Sequence, residues 1–369
     1  MAQGAEDRII TAKVVQAWKD AGLYKLLLPA RLGGEGLDSV SFLQVGEEVS
    51  RQDASSGWTF AIHTVGTLFP GLILTEDAYL DLLGPDRAGI ACGFAFGKVP
   101  GTARPVEGGY LVQSEPMPFG SGTQHADRVA SMLFLLDEKG DNVIGDDGSP
   151  VVVNSYIDRS QIEWLHNWNP AGLHGTGSGH YRVREHVLEK KWLSLAEGDR
   201  AGDPVYAQGF FAIVHMHHCS VALGVAKRAV EEMAKSAKGR RRGEIPALDE
   251  HPLFQAEFVR VDAEYRSARA LVLEAYGSIW EAATEGRVTE LHTARVEQAA
   301  LHLHRVLRDI VSTASLWAGS DAIPHDSAIA RLNADTAVAV NHLLLSPHQA
   351  TKAAPHLLEA TLTDPQTPA

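Results

Sequence analysis

Phe119-Gly120-Ser121-Gly122-Thr123, followed at once by His125-Ala126-Asp127, is one half of the pattern that decides the fold. The other half is Gly172-Leu173-His174-Gly175-Thr176-Gly177-Ser178, about fifty residues later. Each stretch combines glycine, which accepts positive φ without strain, with serine and threonine, whose hydroxyls bond nearby backbone. Small-residue turns of this kind beside β-strands let backbone approach a flat ligand closely and offer it N–H and hydroxyl donors.

Outward from these turns the hydrophobic period changes twice. From about Gly89, short apolar runs such as Tyr110-Leu111-Val112, Ala130 to Leu136 and Val151-Val152-Val153 alternate with turn sequences at 137–142 and 145–148. This is the composition of an antiparallel β-domain. Before it, apolar residues recur at helical spacing over 9–18, through Phe42, Val45 and Val49, and from Trp58 to Leu74. After about Gly202 the pattern is helical to the end. It runs over 221–230, where Gly224 permits close helix packing, then 252–285, 288–318 and 326–345. Pro347 and Pro355 are expected to break the last segment, and 363–369 to fray. The sequence thus predicts an α+β, mostly α chain of three parts: an N-terminal helical domain (1–88), a middle antiparallel β-domain (89–201) and a C-terminal four-helix bundle (202–369).

The chain has 369 residues, 45% of them hydrophobic, and a net charge of −13, which argues against a general nucleic-acid binder. Its two cysteines, Cys92 and Cys219, make neither a disulfide framework nor a zinc spacing, so a reducing cytoplasm is expected. No secretory apolar core occupies the first twenty residues, and no stretch reads as the roughly twenty apolar residues that span a bilayer.

Four motifs in this order resemble the acyl-CoA dehydrogenase superfamily, and more narrowly its two-component flavin-dependent monooxygenases, the group D hydroxylases. Leu28-Pro29-Ala30-Arg31-Leu32-Gly33-Gly34-Glu35-Gly36 resembles an early P-x-x-x-G-G loop, and Asp53-Ala54-Ser55-Ser56-Gly57-Trp58 an Ala-Ser-x-x-Trp helix start. The two central turns are the third match. The fourth is Ala330-Arg331-Leu332-Asn333-Ala334-Asp335, followed by Asn341-His342, which is similar to a C-terminal Arg-x-x-Arg-Asp helix ending in a histidine. Two departures stand out. Ala334 takes the place of the second arginine, and Val112 to Pro118 lacks the usual glycine and tryptophan.

The resemblance implies a flavin enzyme that takes reduced FMN or FAD from a separate reductase and uses O2, through a C4a-hydroperoxide, to hydroxylate a small aromatic or polycyclic substrate. It implies a homotetramer assembled through the C-terminal bundle. Ser178 corresponds to the residue that reaches flavin N5. His342 corresponds to the histidine over the flavin face, able to hydrogen-bond the peroxide or deprotonate a phenol. Phe119, Ser121, Thr123, Thr176 and Gly177 are flavin-binding candidates. Arg241, within Lys238-Gly239-Arg240-Arg241-Arg242, falls where the family presents an arginine to flavin phosphates. Trp58 and His218 are candidates for the substrate pocket.

Two other readings remain open from the sequence. An acyl-CoA dehydrogenase or flavin oxidase would need a carboxylate base, and the position counted back from Arg331 is Asp326. The region from Ala91 to Gly101 nevertheless has neither the Thr-Glu-Pro nor the Gly-Ser-Asp of the dehydrogenases. A member that kept the fold but lost the flavin would serve as a structural or partner-binding subunit. His215-Met216-His217-His218-Cys219 is not expected to bind a metal, because neighbouring helical residues point apart and only His215 and Cys219 are paired at i, i+4. His302 and His304 are expected to face different sides of their helix.

Overall fold

The structure, a computed structural model, describes residues 8–93, 99–194, 202–241 and 247–363. Part of the 91–101 region and Arg242 of the arginine cluster therefore lie outside the described residues. The chain forms two compact units that interleave along the sequence. One comprises 1–37, 59–169 and 174–202; the other comprises 38–58, 170–173 and 203–369.

In the first unit, α1 (Ala12–Asp20) starts later than its apolar pattern, because Ile9 and Ile10 leave the helix to pair with backbone at Thr176 and Gly175. Helix α3 (Ala54–Ile73) begins in the second unit and continues into the first, where α4 (Glu76–Leu83) follows, capped by Thr75. The sheet is built from β1 (Ala91–Cys92), β2 (Gly101–Val106), β3 (Gly109–Ser114), β4 (Arg128–Leu135), β5 (Val152–Asp158) and β8 (His186–Leu188). It is mixed rather than purely antiparallel. β4 is the hub, with β5 antiparallel on one edge, while β1 and then β2 run parallel to successive halves of the other. β3 and β8 continue antiparallel from β2. Parallel pairing needs a long connection, and the chain supplies one between β2 and β4 that carries the whole first turn motif. A separate hairpin, β6 (Ile162–Trp164) with β7 (Tyr181–Val183), carries the second motif in its loop.

The second unit is helical. Its members are α2 (Ser39–Gln52), α5 (Pro204–Ala207), α6 (Phe210–Ala237), α7 (Pro252–Thr284), α8 (Glu290–Ala318), α9 (Ala328–Ala339) and α10 (Pro347–Thr363). Helix α6 is the centre: every residue from Ala212 to Ala226 is buried, between α8 and α2. Helix α6 is long and apolar enough to cross a membrane by length and composition alone, but 83% of its most apolar window is buried within the protein. It crosses α2 closely, since a Cβ on Gly224 would lie 2.4 Å from the Glu47 carbonyl oxygen and one on Gly46 would lie 2.5 Å from Ser220 Cβ. The buried Glu47 carboxylate locks α7 onto α2, accepting from Arg269 Nε at 2.9 Å and from the Tyr265 hydroxyl.

Two helix ends differ from the periodicity. Helix α9 stops at Ala339 rather than near Leu345, and His342 then caps a 3-10 turn over Leu343–Leu345. Pro347 starts α10, a position where its missing N–H costs nothing. Pro355 does not break that helix but sits inside it. Pro355 and Thr351, whose carbonyl the proline has no N–H to serve, are both exposed to solvent.

Candidate active site

The two turn motifs, remote in sequence, are stitched together in the first unit. Met117 and Tyr181 exchange backbone hydrogen bonds at 2.7 and 3.0 Å. The N–H of Gly120 then donates to Gly179 and that of Gly122 to Thr176, both at 3.0 Å. The close approach depends on missing side chains: a Cβ on Gly120 would strike the Tyr181 ring at 2.7 Å. Gly122 and Gly177 adopt φ of 70° and 59°. Phe119 adopts φ of 58°, a region that L-residues avoid, and its ring is 65% exposed. An exposed aromatic on a conformation held by its neighbours is not core packing.

Where the turns meet, three hydroxyls form a chain. Ser178 Oγ lies 2.7 Å from Ser121 Oγ and 2.6 Å from Thr176 Oγ1. Ser178 has one hydroxyl hydrogen for two oxygen neighbours, so it donates to one of them at most. Thr176 and Ser178 are buried, and Ser121 is the more accessible end. Thr123 has a different place. Its hydroxyl donates to the Gly120 carbonyl at 2.7 Å and accepts from Trp164 Nε1 at 3.1 Å, so it holds the turn together from within. His125 bonds the Ile10 carbonyl, and Asp127 accepts from the Ile90 N–H at 2.8 Å, which ties the first motif to the N-terminal segment and to β1.

The sequence reading missed the support beneath this turn. Tyr24 O–H meets His63 Nδ1 at 3.0 Å, and His63 Nε2 meets the Gly122 carbonyl at 3.0 Å. The carbonyl can only accept, so Nε2 carries the hydrogen and Nδ1 takes the Tyr24 hydroxyl hydrogen. Burial holds the His63 pKa down to about 3, so the ring is neutral. A histidine within the apolar run 58–74 reads in sequence as core, and only the fold reveals what it touches.

In the second unit, Trp58, His218 and His342 come together, and they bring company. The His218 ring centroid lies 4.3 Å from that of His342, 4.6 Å from His217, 5.5 Å from Trp58, 6.3 Å from His304 and 6.4 Å from His215. One expectation is corrected here and one holds. His215, His217 and His218 do not disperse, because α6 is buried all round and its different faces meet the same polar cluster. His304 is part of that cluster, whereas the partly buried His302 meets Arg305. Among the described residues no group of three or more His, Cys, Asp or Glu side chains has metal-binding geometry.

Burial keeps the cluster neutral. It lowers the pKa of His342 and of His304 to about 4 and of His215 and His217 to about 3, with mutual repulsion adding for all but His342. The His342 Nδ1 accepts the Leu344 N–H at 3.3 Å, so in the neutral ring Nε2 carries the hydrogen. Nearby, Asp335 fixes the start of the second motif: its carboxylate accepts the Leu173 N–H at 2.6 Å, and Leu173 has φ of 52°. Burial raises the Asp335 pKa to about 6. A Cβ on Gly172 would lie 2.1 Å from the Ala334 carbonyl oxygen, so α9 and this segment touch backbone to backbone.

Two further residues stand apart from these contacts. Asp326 is exposed in the turn before α9, with its backbone carbonyl held by Arg331. Arg241 is exposed, while the adjacent Arg240 is committed to the Ala318 carbonyl and Asp321.

Comparison with known proteins agrees with this architecture. Residues 1–73 match the N-terminal domain of acyl-CoA dehydrogenase and 216–347 match its C-terminal domain. Indole-3-acetate monooxygenase of Pseudomonas putida is 28% identical over 346 residues, covering 92% of this chain and 84% of its own. The oxygenase subunit HsaA of a flavin-dependent monooxygenase from Rhodococcus jostii is 28% identical over 295 residues, covering 74% and 73%. Among solved structures, XiaF from Streptomyces sp. in complex with FADH2 and glycerol superposes with a TM-score of 0.85 at 19% identity, over 100% of this chain and 93% of the other.

Proposed function

We propose that this chain, which belongs to the acyl-CoA dehydrogenase superfamily and within it to the flavin-dependent monooxygenases, is the oxygenase component of a two-component system. It takes reduced FMN or FAD from a separate reductase and, by way of a C4a-hydroperoxyflavin, inserts one atom of O2 into a small aromatic or polycyclic substrate. The observation that carries the reading is the meeting of the two turns, which joins three hydroxyls in a chain and exposes the ring of Phe119 two residues before Ser121. An uncharged isoalloxazine edge of nitrogens and oxygens matches neutral hydroxyl donors and backbone N–H groups, and its flat face matches an aromatic side chain.

Each residue then has one task. The Ser121–Ser178–Thr176 chain supplies the hydrogen bond to flavin N5, with Thr176 and Ser178 orienting the hydrogen that Ser121 presents. Phe119 and the glycine backbone of the turns, including Gly177, hold the ring, and Thr123 keeps the first turn in shape. Arg241, exposed and uncommitted to the contacts that hold Arg240, binds flavin phosphate. His342 hydrogen-bonds the oxygen delivered to the substrate, and Trp58 with His218 receives that substrate. The apolar side chains exposed on α7 and α8, Leu253, Val259 and Leu316 among them, serve homotetramer assembly.

Rapid mixing of protein and anaerobically reduced flavin with oxygenated buffer tests the reading. A flavin–oxygen adduct persisting for seconds is expected, whereas immediate reoxidation with both FMN and FAD, as in free solution, would reject it. Ser178→Ala and Ser121→Ala should each shorten that lifetime and raise hydrogen peroxide release several-fold. Wild-type leakage in both variants would remove the hydroxyl chain from this role.

A further inference from the structure

His215, His217 and His218 each leave a buried ring nitrogen with no hydrogen-bond partner: Nδ1, Nε2 and Nδ1 respectively. Such atoms are rare, because each gives up its bonds to water for nothing in return. Three lie within four residues of one helix, and two of the rings, His217 and His218, stand against Trp58.

The polarity of that place follows from His217. Its ring faces the Trp58 backbone, which favours the protonated ring as a carbonyl oxygen does, and since Nε2 is the unpartnered atom the nitrogen on that side is Nδ1. A ring nitrogen facing a carbonyl carries the hydrogen, so Nε2 of the neutral ring is a bare lone pair that can only accept. His304 repeats the arrangement: its Nδ1 lies 2.7 Å from the Ala300 carbonyl, which leaves Nε2 as an acceptor. The charges that act on His217 and His218 are those of the other imidazoles. No Lys, Arg, Asp or Glu is among the charges that act on these two rings, while Arg308 acts on His304. A neutral group that donates a hydrogen bond does fit. The Trp58 ring stands 4.5 Å from the His217 centroid at 81°, an apolar wall beside the acceptor.

We infer that His217 is a specificity-determining residue, whose Nε2 accepts a hydrogen bond from the ring N–H or phenolic O–H of a neutral aromatic substrate lying against Trp58. This deepens the proposed function and rests on its substrate class, but its test needs no turnover. Equilibrium binding to the flavin-free protein at pH 7.5, by calorimetry, compares indole with 1-methylindole and phenol with anisole. Binding of 3-methylindole, which has the same added methyl but keeps its N–H, controls for bulk.

In at least one pair the protic member should bind about tenfold or more tightly than its methylated mate, because a site built to accept a hydrogen bond rejects a ligand without one. The pair that discriminates tells N–H from O–H recognition. His217→Phe keeps a flat ring and should erase the preference, and His217→Gln, whose amide oxygen accepts, should retain most of it. Equal affinities within both pairs, no saturable binding of any probe, or an undiminished preference in His217→Phe would overturn the inference. Should His217→Phe not fold, the wild-type pairs and His217→Gln decide the matter. A preference that persists in a protein unable to prolong a flavin–oxygen adduct would sink the oxygenase reading alone.

Discussion

At the scale of single residues, His342 shows how one hydrogen bond sets a role. Its Nδ1 is occupied by the Leu344 N–H, so the neutral ring offers Nε2–H, a donor suited to an oxygen atom and not a base for a phenol. Burial holds its pKa near 4. The neutral form therefore prevails at every pH above that, and kcat/KM should show no histidine limb between pH 5.5 and 7.5. His342→Ala should leave flavin binding intact and lower product yield by about a hundredfold, the scale of a lost hydrogen bond to a developing charge. A limb near pH 6.5 that disappears in His342→Ala would restore the base. Tyr24 acts at the same scale from beneath the flavin turn. Tyr24→Phe leaves His63 Nδ1 buried without a donor and should lower stability by about 1–3 kcal/mol, read as a lower urea midpoint. An unchanged midpoint would mean that His63 does not depend on that bond.

At the scale of elements, the helices and the two turns were legible because their demands are written in residue type. Gly122 and Gly177 occur at positive φ, and Gly224 occurs where two helix backbones meet. What the sequence hid depends on contacts between elements. The parallel pairing of β4 with β1 and β2 has no local signature, since a short apolar run looks the same in either direction. The histidines of α6 looked dispersed because helical spacing describes one face meeting one neighbour, whereas α6 is enclosed on every side. Pro355 looked like a stop because proline strains a helix interior, but on an exposed face the loss is small enough for flanking turns to carry. Glycine substitutions separate these effects. Gly224→Ala places a Cβ 2.4 Å from the α2 backbone and should destabilise by about 1–3 kcal/mol through overpacking. Gly277→Ala, also within a helix, meets only Val40 Cγ2 at 3.8 Å and should stabilise by about 0.5–1 kcal/mol. Urea unfolding of the pair checks both signs, and equal effects would show that helix propensity, not the α2–α6 contact, sets them.

At the scale of the whole molecule, its buried imidazoles link stability to pH. His63 lies in one unit and His215, His217, His218, His304 and His342 in the other, and burial depresses every one of these pKa values, to about 4 or below where a value is defined. Unfolded, each titrates near 6.5. Above that pH neither state binds the proton and the groups contribute no pH dependence. As pH falls below 6.5 the unfolded chain takes up protons that the folded chain refuses, so stability is lost progressively until the folded values are reached. One such group contributes about 1.4 kcal/mol per pH unit in that window. Asp335, raised to about 6, acts in the opposite sense: its folded form takes up a proton more readily than the unfolded chain does, which offsets part of one histidine between pH 6 and 4. His125 and His302 are depressed as well and Glu297 is raised like Asp335, so the imidazoles outnumber the raised carboxylates and leave a steep net fall. The urea midpoint should therefore be nearly level from pH 8 to 7 and drop sharply between 6.5 and 5. Replacing His218 by Phe should make that drop shallower, because the protein then refuses one proton fewer. A midpoint that stays level down to pH 5 would mean that the cluster admits protons while folded, and that water or a bound molecule reaches imidazoles that the packing of α6 encloses.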